Sequence, residues 1–333
     1  MTDELDLALV DALRVAPRAP WSLLAGPLGV DPATLSRRWA RLTAAGDAWV
    51  TCYPSPERLG TGLAALVEVE CRAGEVTAAA ARLAEEPWAA TVQIVTGGTD
   101  LLLTVAAYGP EELARCLLER LAAVPGVLRS RTSPVQRMLW EGSRWHDGAL
   151  DPGQRAAIAA RRPADDTARR APDLAVDLRI AQALGADGRM PVAELAHRTG
   201  MPPTTVRRRL GLLLAGGELV LRCDASPEIT GHPQSTELWI EAPPGELEAV
   251  AAGLIALPQT RMCALTLGDA NLTASLVTHH PSEAARAEQD LCRRFPSVRI
   301  RSRRLTLRTA KLAGNLLDAS GRRTGYVPIT PAG

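Results

Sequence analysis

The chain has 333 residues, of which 46% are hydrophobic and 23% charged, and this composition is typical of a folded protein of two or three domains. The longest apolar runs, such as Leu101–Ala107, are much shorter than the roughly 20 residues of a membrane-spanning helix. The acidic start Met1–Glu4 does not resemble a signal peptide. We therefore expect a cytoplasmic protein without a membrane partner. The formal net charge is +1, with 14 basic and 18 acidic residues over 1–150 and 24 basic and 19 acidic residues over 151–333, so a nucleic acid would have to be bound by local basic patches.

The first 50 residues predict three short helices. The first has an apolar face that runs from Leu5 to Leu13 at helical spacing. Prolines and glycines bound a short second helix around Leu24. The third helix begins after Asp31, a candidate N-cap followed by proline, and ends at Gly46.

The third helix has the composition of a DNA-reading helix. Its buried stripe is formed by Leu35, Trp39 and Leu42. Its candidate DNA-contacting residues are Thr34, Ser36, Arg37, Arg38 and Arg41. A short helix, a glycine turn and a helix rich in Thr and Arg are typical of a helix-turn-helix, which places the last helix in the DNA major groove. The alternative is a three-helix bundle whose third helix has a solvated basic face.

The next segment predicts the element order β-α-β-β-α-β. The expected strands are 64–71, 91–96, 101–108 and 127–139, and the expected helices are 75–86 and 110–124. This order is that of a ferredoxin-like α+β sandwich, in which two helices cover one face of a four-stranded sheet. The other face of the sheet is free to pair.

The chain aligns with itself without a gap when Asp6 is placed on Asp177. In this register 5–46 and 176–217 share 16 identities in 42 positions, and the match continues as far as Val127 on Val298. We therefore expect two copies of one unit: copy one with a helix-turn-helix at 1–50 and a sandwich at 60–140, and copy two with a helix-turn-helix at 173–221 and a sandwich at 231–318. The segment 141–172 between them predicts a linker with a short helix over 152–160. Two copies on one chain can act as a pseudo-dimer.

The third helix of copy two is more basic than that of copy one. Its candidate DNA-contacting residues are Thr204, Thr205, Arg207, Arg208 and Arg209. Consecutive side chains are about 100° apart around a helix, so at least two of the three arginines can reach backbone phosphate. DNA affinity is therefore expected to depend more on copy two, although Arg38 and Arg209 are candidates for a structural role.

These motifs, in this order and in duplicate, resemble the leucine-responsive/AsnC (Lrp/AsnC) family of bacterial transcription regulators, with the family's unit repeated on one chain. The segments that carry the resemblance are Val30–Leu35, Val95–Leu102, Val124–Val127 and Asp187–Arg189. The resemblance covers most of residues 5–140 and 176–311. It implies sequence-specific binding of duplex DNA, dimerisation through the sheets, and sensing of an amino acid or similar small effector near a Gly-x-x-Asp turn. It also implies a homo-oligomer, which for two-copy chains would be a dimer or tetramer, without catalytic activity or cofactor.

In copy one the residues of this turn suit an amino acid effector; they are Thr96, Gly97, Gly98, Thr99 and Asp100. Backbone amides and hydroxyls can receive a carboxylate, and Asp100 can receive an ammonium group. In copy two Leu267, Ala270 and Asn271 remove both hydroxyls and the carboxylate, so we expect the effector to bind copy one only. The alternative is that Asp100 simply closes a tight turn.

Two other functions remain open at this stage. Siroheme decarboxylases share the two-part architecture, but they would need His and Arg in a sandwich pocket, and the copy-one sandwich contains no histidine. An interaction protein with a degenerate helix-turn-helix is the other alternative. A metal site is not expected, because no His, Cys or carboxylate cluster has ligand spacing. The six cysteines form no Cys-x-x-Cys pair and are expected to be small buried residues.

Overall fold

The computed structural model describes residues 3–55, 62–160 and 173–329. Copy one begins with three helices and a strand: α1 Glu4–Val15, α2 Trp21–Leu28, α3 Pro32–Ala44 and β1 Ala48–Pro54. The Asp31 side chain caps α3 by accepting a hydrogen bond from the amide of Ala33 at 2.7 Å, as its position before Pro32 predicted. Gly29 ends α2 with a φ of +66°, a conformation that favours glycine.

The copy-one sandwich follows in the predicted order. Its elements are β2 Leu63–Cys71, α4 Val76–Ala84, β3 Ala89–Val95, β4 Leu101–Ala107, α5 Pro110–Arg115 and β5 Val127–Trp140. The second predicted helix of this sandwich continues beyond α5 as a π-helical segment over Cys116–Leu121. Its core lies between the sheet and the helices, where Val67, Leu83 and Leu103 are fully buried.

Copy two repeats this plan. The intervening segment forms α6 Pro152–Ala159, and copy two then contains α7 Leu174–Gly185, α8 Val192–Thr199, α9 Pro203–Ala215, β6 Leu219–Ala225, α10 Pro227–Thr230, β7 Gln234–Glu241, α11 Leu247–Ile255, β8 Thr260–Thr266, β9 Leu272–Thr278, α12 Pro281–Arg294, β10 Arg299–Leu312, β11 Asn315–Leu317 and β12 Arg323–Tyr326. The mixed α+β class and the duplicated ferredoxin-like topology are confirmed. No helix within the described ranges is long and apolar enough to cross a membrane.

The two sheets join at both edges and close into an eight-stranded antiparallel barrel. Its strand order is β10-β3-β4-β2-β5-β8-β9-β7, and β7 pairs again with β10. The joints are β5 with β8 and β3 with β10, so the fourth strand of each sandwich pairs with the second strand of the other sandwich. The sheet faces that the helices leave uncovered therefore form the interior of the barrel, and the chain is its own pseudo-dimer.

The two helix-turn-helix units also face each other like the halves of a dimer. Strands β1 and β6, which the sequence did not predict, pair antiparallel and form a two-stranded ribbon between the units. Arg18 donates to the carbonyl of Met190 at 2.8 Å. Arg189, which occupies the equivalent position in copy two, donates to the carbonyls of Pro17 and Ala19 at 2.6 and 2.9 Å. These reciprocal contacts hold one unit against the other.

The described part of the predicted linker packs closely on copy one. Asp151 and Gln154 form a capping box at the start of α6, and Leu150 and Ile158 are buried against α1 and α2. Trp145 is buried and its indole nitrogen donates to the carbonyl of Pro258 at 2.9 Å, so this segment also contacts the copy-two sandwich. The rest of the linker, 161–172, lies outside the described residues.

A buried ion pair crosses the interior of the barrel between the two copies. Nε of Arg304 on β10 donates a hydrogen bond to Oε1 of Glu68 on β2 at 3.1 Å. Both side chains are at most 7% exposed. Arg131 approaches the other carboxylate oxygen at 3.9 Å. The pair therefore joins buried residues of different copies.

We expect Arg304→Ala to lower the free energy of unfolding by about 3 kcal/mol, because the change leaves the buried carboxylate of Glu68 without its main cation. The matched control is Arg303→Ala on the same strand. Its partner is Glu288, its side chain is 54% exposed, and its removal should cost less than about 1 kcal/mol. Urea denaturation of both variants compares the two effects, and equal losses would contradict a special role for the buried pair.

Candidate functional site

The third helix of each helix-turn-helix unit, α3 or α9, is called its reading helix below. The reading helix of copy two, α9, has two arginines exposed to solvent. Arg207 and Arg208 are exposed, and neither forms a hydrogen bond or ion pair with a side chain of the described residues. Thr204 is exposed and Thr205 half-buried at the start of the same helix, α9. These four side chains therefore form the accessible surface of the copy-two reader, the name used here for the DNA-contacting residues that the sequence predicted on α9.

Arg209, the third arginine of this run, has a different role. Its Nε and Nη2 donate to both carboxylate oxygens of Asp177 on α7, at 2.5 and 2.7 Å. The Asp177 side chain is only 3% exposed. These hydrogen bonds raise the pKa of Arg209 and hold α9 against α7, so the residue supports the helix-turn-helix fold.

In copy one, two of the three candidate DNA-contacting arginines, Arg38 and Arg41, form ion pairs with aspartates. Arg38 donates to Asp3 at 2.6 Å and to Asp6 at 3.0 Å, and these hydrogen bonds raise its pKa. Arg41 donates to Asp6 at 2.5 Å. Arg37 is exposed and its Nη2 donates to the hydroxyl of Thr34 at 3.3 Å.

The two reading surfaces are therefore unequal in charge. Arg38 and Arg209 occupy equivalent positions, and each pairs with the equivalent aspartate of the first helix of its unit. Thr34 and Ser36 of copy one are half-buried. Copy one is left with Arg37 as its accessible arginine without an ion pair among the described residues, whereas copy two has Arg207 and Arg208.

The predicted effector turn of copy one is built into the joint between the copies. The Thr96 hydroxyl accepts a hydrogen bond from the amide of Leu305 at 3.0 Å, and the buried Thr99 hydroxyl accepts one from Nε of Arg304 at 3.1 Å. Gly97 has a φ of +101° and Gly98 is exposed beside it. Both hydroxyls that the sequence assigned to a ligand therefore already contact β10.

Asp100 has a structural partner as well. Its Oδ2 accepts a hydrogen bond from the amide of Cys71 at 2.7 Å, which fixes the turn to the end of β2. In copy two the side-chain amide of Asn271 makes the equivalent contact, with Oδ1 accepting from the backbone amide of Ala242 at 3.0 Å and Nδ2 donating to its carbonyl at 2.8 Å. An Asp or an Asn can therefore close this turn, and the effector role of Asp100 stays a prediction.

A chamber of about 1860 Å³ lies between the barrel and the β1–β6 ribbon. Leu66 and Thr104 line it, whereas the alternating residues Val67 and Leu103 belong to the core beneath the helices, so the barrel part of the chamber lies on the inner face. Its far end is closed by an apolar cluster around Trp239. Its outer end reaches α9, where Arg207 and Arg208 border it.

The chamber wall is polar on the copy-two side. Glu237 on β7 is buried, and its Oε1 accepts hydrogen bonds from the hydroxyls of Ser275 at 2.7 Å and Ser235 at 3.3 Å. Burial raises the pKa of Glu237 to about 7. Arg261 lines the chamber on β8 and pairs with Asp224 on the ribbon strand β6.

The sequence analysis did not identify Glu68, Glu237 or Arg304 as functional or structural side chains. A signal was present, because Glu68 alternates with Val67 and Val69 in a strand and so had to lie on the face opposite the helices. That face could not be assigned to a barrel interior without knowledge of how the sheets pair. Within the described ranges no group of three His, Cys, Asp or Glu side chains could hold a metal ion.

The ion pair between Arg209 and Asp177 should contribute to stability. Arg209→Ala should lower the free energy of unfolding by about 3 kcal/mol, because it leaves the Asp177 carboxylate buried without a cation. Arg208→Ala, one position earlier and exposed, should change stability by less than about 0.5 kcal/mol. Thermal unfolding followed by circular dichroism measures both, and a stable Arg209→Ala variant would show that the ion pair does not support the fold.

Comparison with known proteins agrees with this architecture. The family model of the AsnC-type helix-turn-helix domain matches residues 3–43 and 175–213, and that of the Lrp/AsnC ligand binding domain matches residues 64–145. The HTH-type transcriptional regulator AldR of Mycolicibacterium smegmatis is 31% identical over 138 residues, which are 40% of this chain and 80% of that protein. The HTH-type transcriptional regulator FL11 of Pyrococcus horikoshii is 28% identical over 134 residues, 40% of this chain and 88% of the relative.

A solved structure matches the whole duplicated arrangement. The crystal structure of the siroheme decarboxylase NirDL superposes with a TM-score of 0.59 and 16% identity, and the match covers 93% of each chain. At this level of identity the likeness concerns the fold alone. By its two helix-turn-helix segments, its ligand-binding domain and its regulator relatives, the chain belongs to the Lrp/AsnC family, with the family's unit present twice.

Proposed function

We propose that this protein is a transcriptional regulator that binds duplex DNA through its helix-turn-helix units and responds to a small-molecule effector. The observation that carries the proposal is the pair of exposed, unpaired arginines on α9, Arg207 and Arg208, in the described part of the chain. Unpaired arginines on a reading helix can neutralise phosphates or form bidentate hydrogen bonds with guanine. The exposed Thr204 at the helix N-terminus adds a second type of phosphate contact.

The two readers should contribute unequally to DNA affinity. Replacing Arg207 and Arg208 together with Ala should weaken binding at least tenfold and reduce the slope of log K against log salt by about 2, because two phosphate contacts are lost. Replacing Arg37 and Arg41 together with Ala is the matched control, and it should cost less because Asp6 already holds Arg41. Fluorescence anisotropy with genomic operator fragments at several salt concentrations measures both. Equal losses would remove the proposed asymmetry.

An effector site at the Gly-x-x-Asp turn of copy one is the second part of the proposal. It is supported by the exposed Gly98 and by the second carboxylate oxygen of Asp100, which accepts no hydrogen bond from a described residue. The amides of this turn and that oxygen could bind the carboxylate and ammonium groups of an amino acid. Asn271 in copy two lacks the charge, so the site would exist once per chain.

Asp100→Asn tests this site without disturbing the turn. The apo melting temperature should stay nearly unchanged, because Asn271 shows that an amide makes the same backbone contact. Any stabilisation by a member of an amino acid panel should disappear; at 100 times the Kd such stabilisation amounts to about 2.7 kcal/mol. Asn271→Asp is the reverse change in copy two; because it supplies the missing charge, it should add a second response rather than remove the first. A response that survives Asp100→Asn would leave the carboxylate with a turn role only.

We also propose that the protein acts in the cytoplasm as a dimer or tetramer of two-copy chains. A chain with one copy of the unit would need a partner to complete the barrel, whereas here the barrel closes within the chain. Further association would then serve to bring several readers to one operator.

The enzyme alternative is a siroheme-decarboxylase-like activity, and the chamber is the observation that favours it. A volume of about 1860 Å³ is larger than an amino acid needs, and the bordering arginines suit carboxylates. A NirDL structure contains an iron-uroporphyrin III analogue. Titration of this protein with iron uroporphyrin should then give a shifted Soret band, and an unshifted band would exclude the alternative.

A further inference from the structure

The residues that line the chamber differ between the two copies at equivalent positions. Leu66 of copy one and Glu237 of copy two occupy equivalent positions on equivalent strands, β2 and β7. Both line the chamber. Ala64 and Ser235 are another such pair. At these two positions copy one is apolar and copy two carries a carboxyl and a hydroxyl, a difference that a symmetric dimer of identical chains could not have.

Glu237 differs from the other buried acids in its partners. Among the described residues the buried carboxylates that pair with arginine are Asp6, Asp11, Glu68, Asp177 and Asp224. Glu112 accepts a backbone hydrogen bond from Tyr108. The hydrogen-bond partners of Glu237 are neutral: the hydroxyls of Ser235 and Ser275 both donate to the same oxygen, Oε1. These hydroxyls, the charge of Arg261 and the side-chain amide of Gln93 all lower the pKa of Glu237, against the larger effect of burial, which raises it.

Two arginines face Glu237, and each donates to another carboxylate. Arg304 lies opposite Glu237 in the register of β7 and β10, and its guanidinium donates to Glu68. Arg261 faces Glu237 from β8, but its Nη2 donates to Asp224, and its guanidinium lies 5.5 Å from the ring centre of Trp145. Gln93, on β3, donates its amide to the hydroxyl of Thr306 at 3.1 Å. Among the described residues neither arginine forms a hydrogen bond or ion pair with Glu237, so its carboxyl lies on the chamber wall without a cation of its own, and burial of such a carboxylate is unfavourable.

We propose that the chamber binds an amphipathic molecule with one protonated amine, whose ammonium group pairs with the carboxylate of Glu237 and whose apolar body packs against Leu66 and Leu102. These apolar side chains exclude water around the pair and strengthen it. This site is separate from the Gly-x-x-Asp turn and differs from it in ligand class, since it requires an apolar body and no carboxylate.

The site is connected to the copy-two reader. Arg261 joins the chamber wall to Asp224 on β6, and β6 follows directly after the reading helix α9. Although burial alone would raise the pKa of Asp224, its pairs with Arg222 and Arg261 lower it, so the connection is fully charged. An ammonium group at Glu237 would repel the facing guanidinium of Arg261, and a shift of Arg261 would change the position of β6. This coupling rests on the proposed DNA-binding function, whereas amine binding itself does not.

The probe is hexylamine, with hexan-1-ol and hexanoate as neutral and anionic counterparts of the same length. Isothermal titration of the full chain at pH 7 should give a Kd for hexylamine at least tenfold below those of the other two. Because the carboxyl has a pKa of about 7 and must ionise to pair, binding should release protons, seen as an enthalpy that varies with the buffer. Equal binding of hexanoate would instead indicate that the arginines at the outer end hold the ligand, and would overturn the proposal.

Glu237→Gln is the decisive variant. It should lose the preference for hexylamine and the proton release. Its folding has an independent readout: the folded-state pKa of Glu237 is raised, so the wild type loses stability as pH rises from about 4.5 to about 7, and the variant should lack this decline. Glu241→Gln on the same strand, which removes a partly exposed pair with Arg301, is the matched control and should behave as wild type.

The outcomes separate the two proposals. Absence of hexylamine binding, or binding that survives Glu237→Gln, would overturn the chamber site. If hexylamine binds in the predicted way but the protein shows no affinity for duplex DNA, the chamber site stands and the proposed regulatory function is wrong. If hexylamine binds and also changes the DNA affinity of the wild type but not of Glu237→Gln, both the site and its coupling to the reader are supported.

Discussion

The edge-to-edge pairing of the two sheets is the constraint on which the rest of the structure depends. Each ferredoxin-like sheet has helices on one face, and its other face would be exposed if the copies were independent. Pairing of β5 with β8 and of β3 with β10 satisfies the strand edges and turns both exposed faces inward. A closed barrel within one chain removes the need for a partner chain to complete the fold.

Closure within one chain also permits asymmetry. In a dimer of identical chains every interior residue appears twice, so a buried carboxyl on one wall would face an equal carboxyl on the other. Here Glu68 and Arg304 form one pair across the interior, whereas the residues at the equivalent positions of the other copy, Trp239 and Ser133, cannot form an ion pair. Each copy can therefore change its inner wall independently, and copy two carries Glu237 opposite Arg304 where copy one has Leu66 opposite Ser133.

The same divergence is visible in the helix-turn-helix units. Both retain the ion pair that joins the first helix to the reading helix. The remaining charge differs, because copy one forms a second ion pair with Arg41 and copy two keeps Arg207 and Arg208 unpaired within the described structure. Residues that hold the unit together are thus the same in type in both copies, while those on the surface are free to specialise.

The sequence by itself determined the duplication, the helix-turn-helix, and the βαββαβ order, because apolar periodicity, N-caps and glycine turns act over a few residues. It did not predict β1 and β6, whose pairing joins residues of different copies. It singled out Arg38 and Arg209 as candidates for a structural role, but it could not give the partners: Arg209 and Asp177 are 32 residues apart, and Arg304 and Glu68 are 236 residues apart. The tertiary structure alone decided the barrel, the chamber and the position of Glu237, because these depend on which strand edges meet, and hydrogen bonding at an edge carries no sequence pattern of its own.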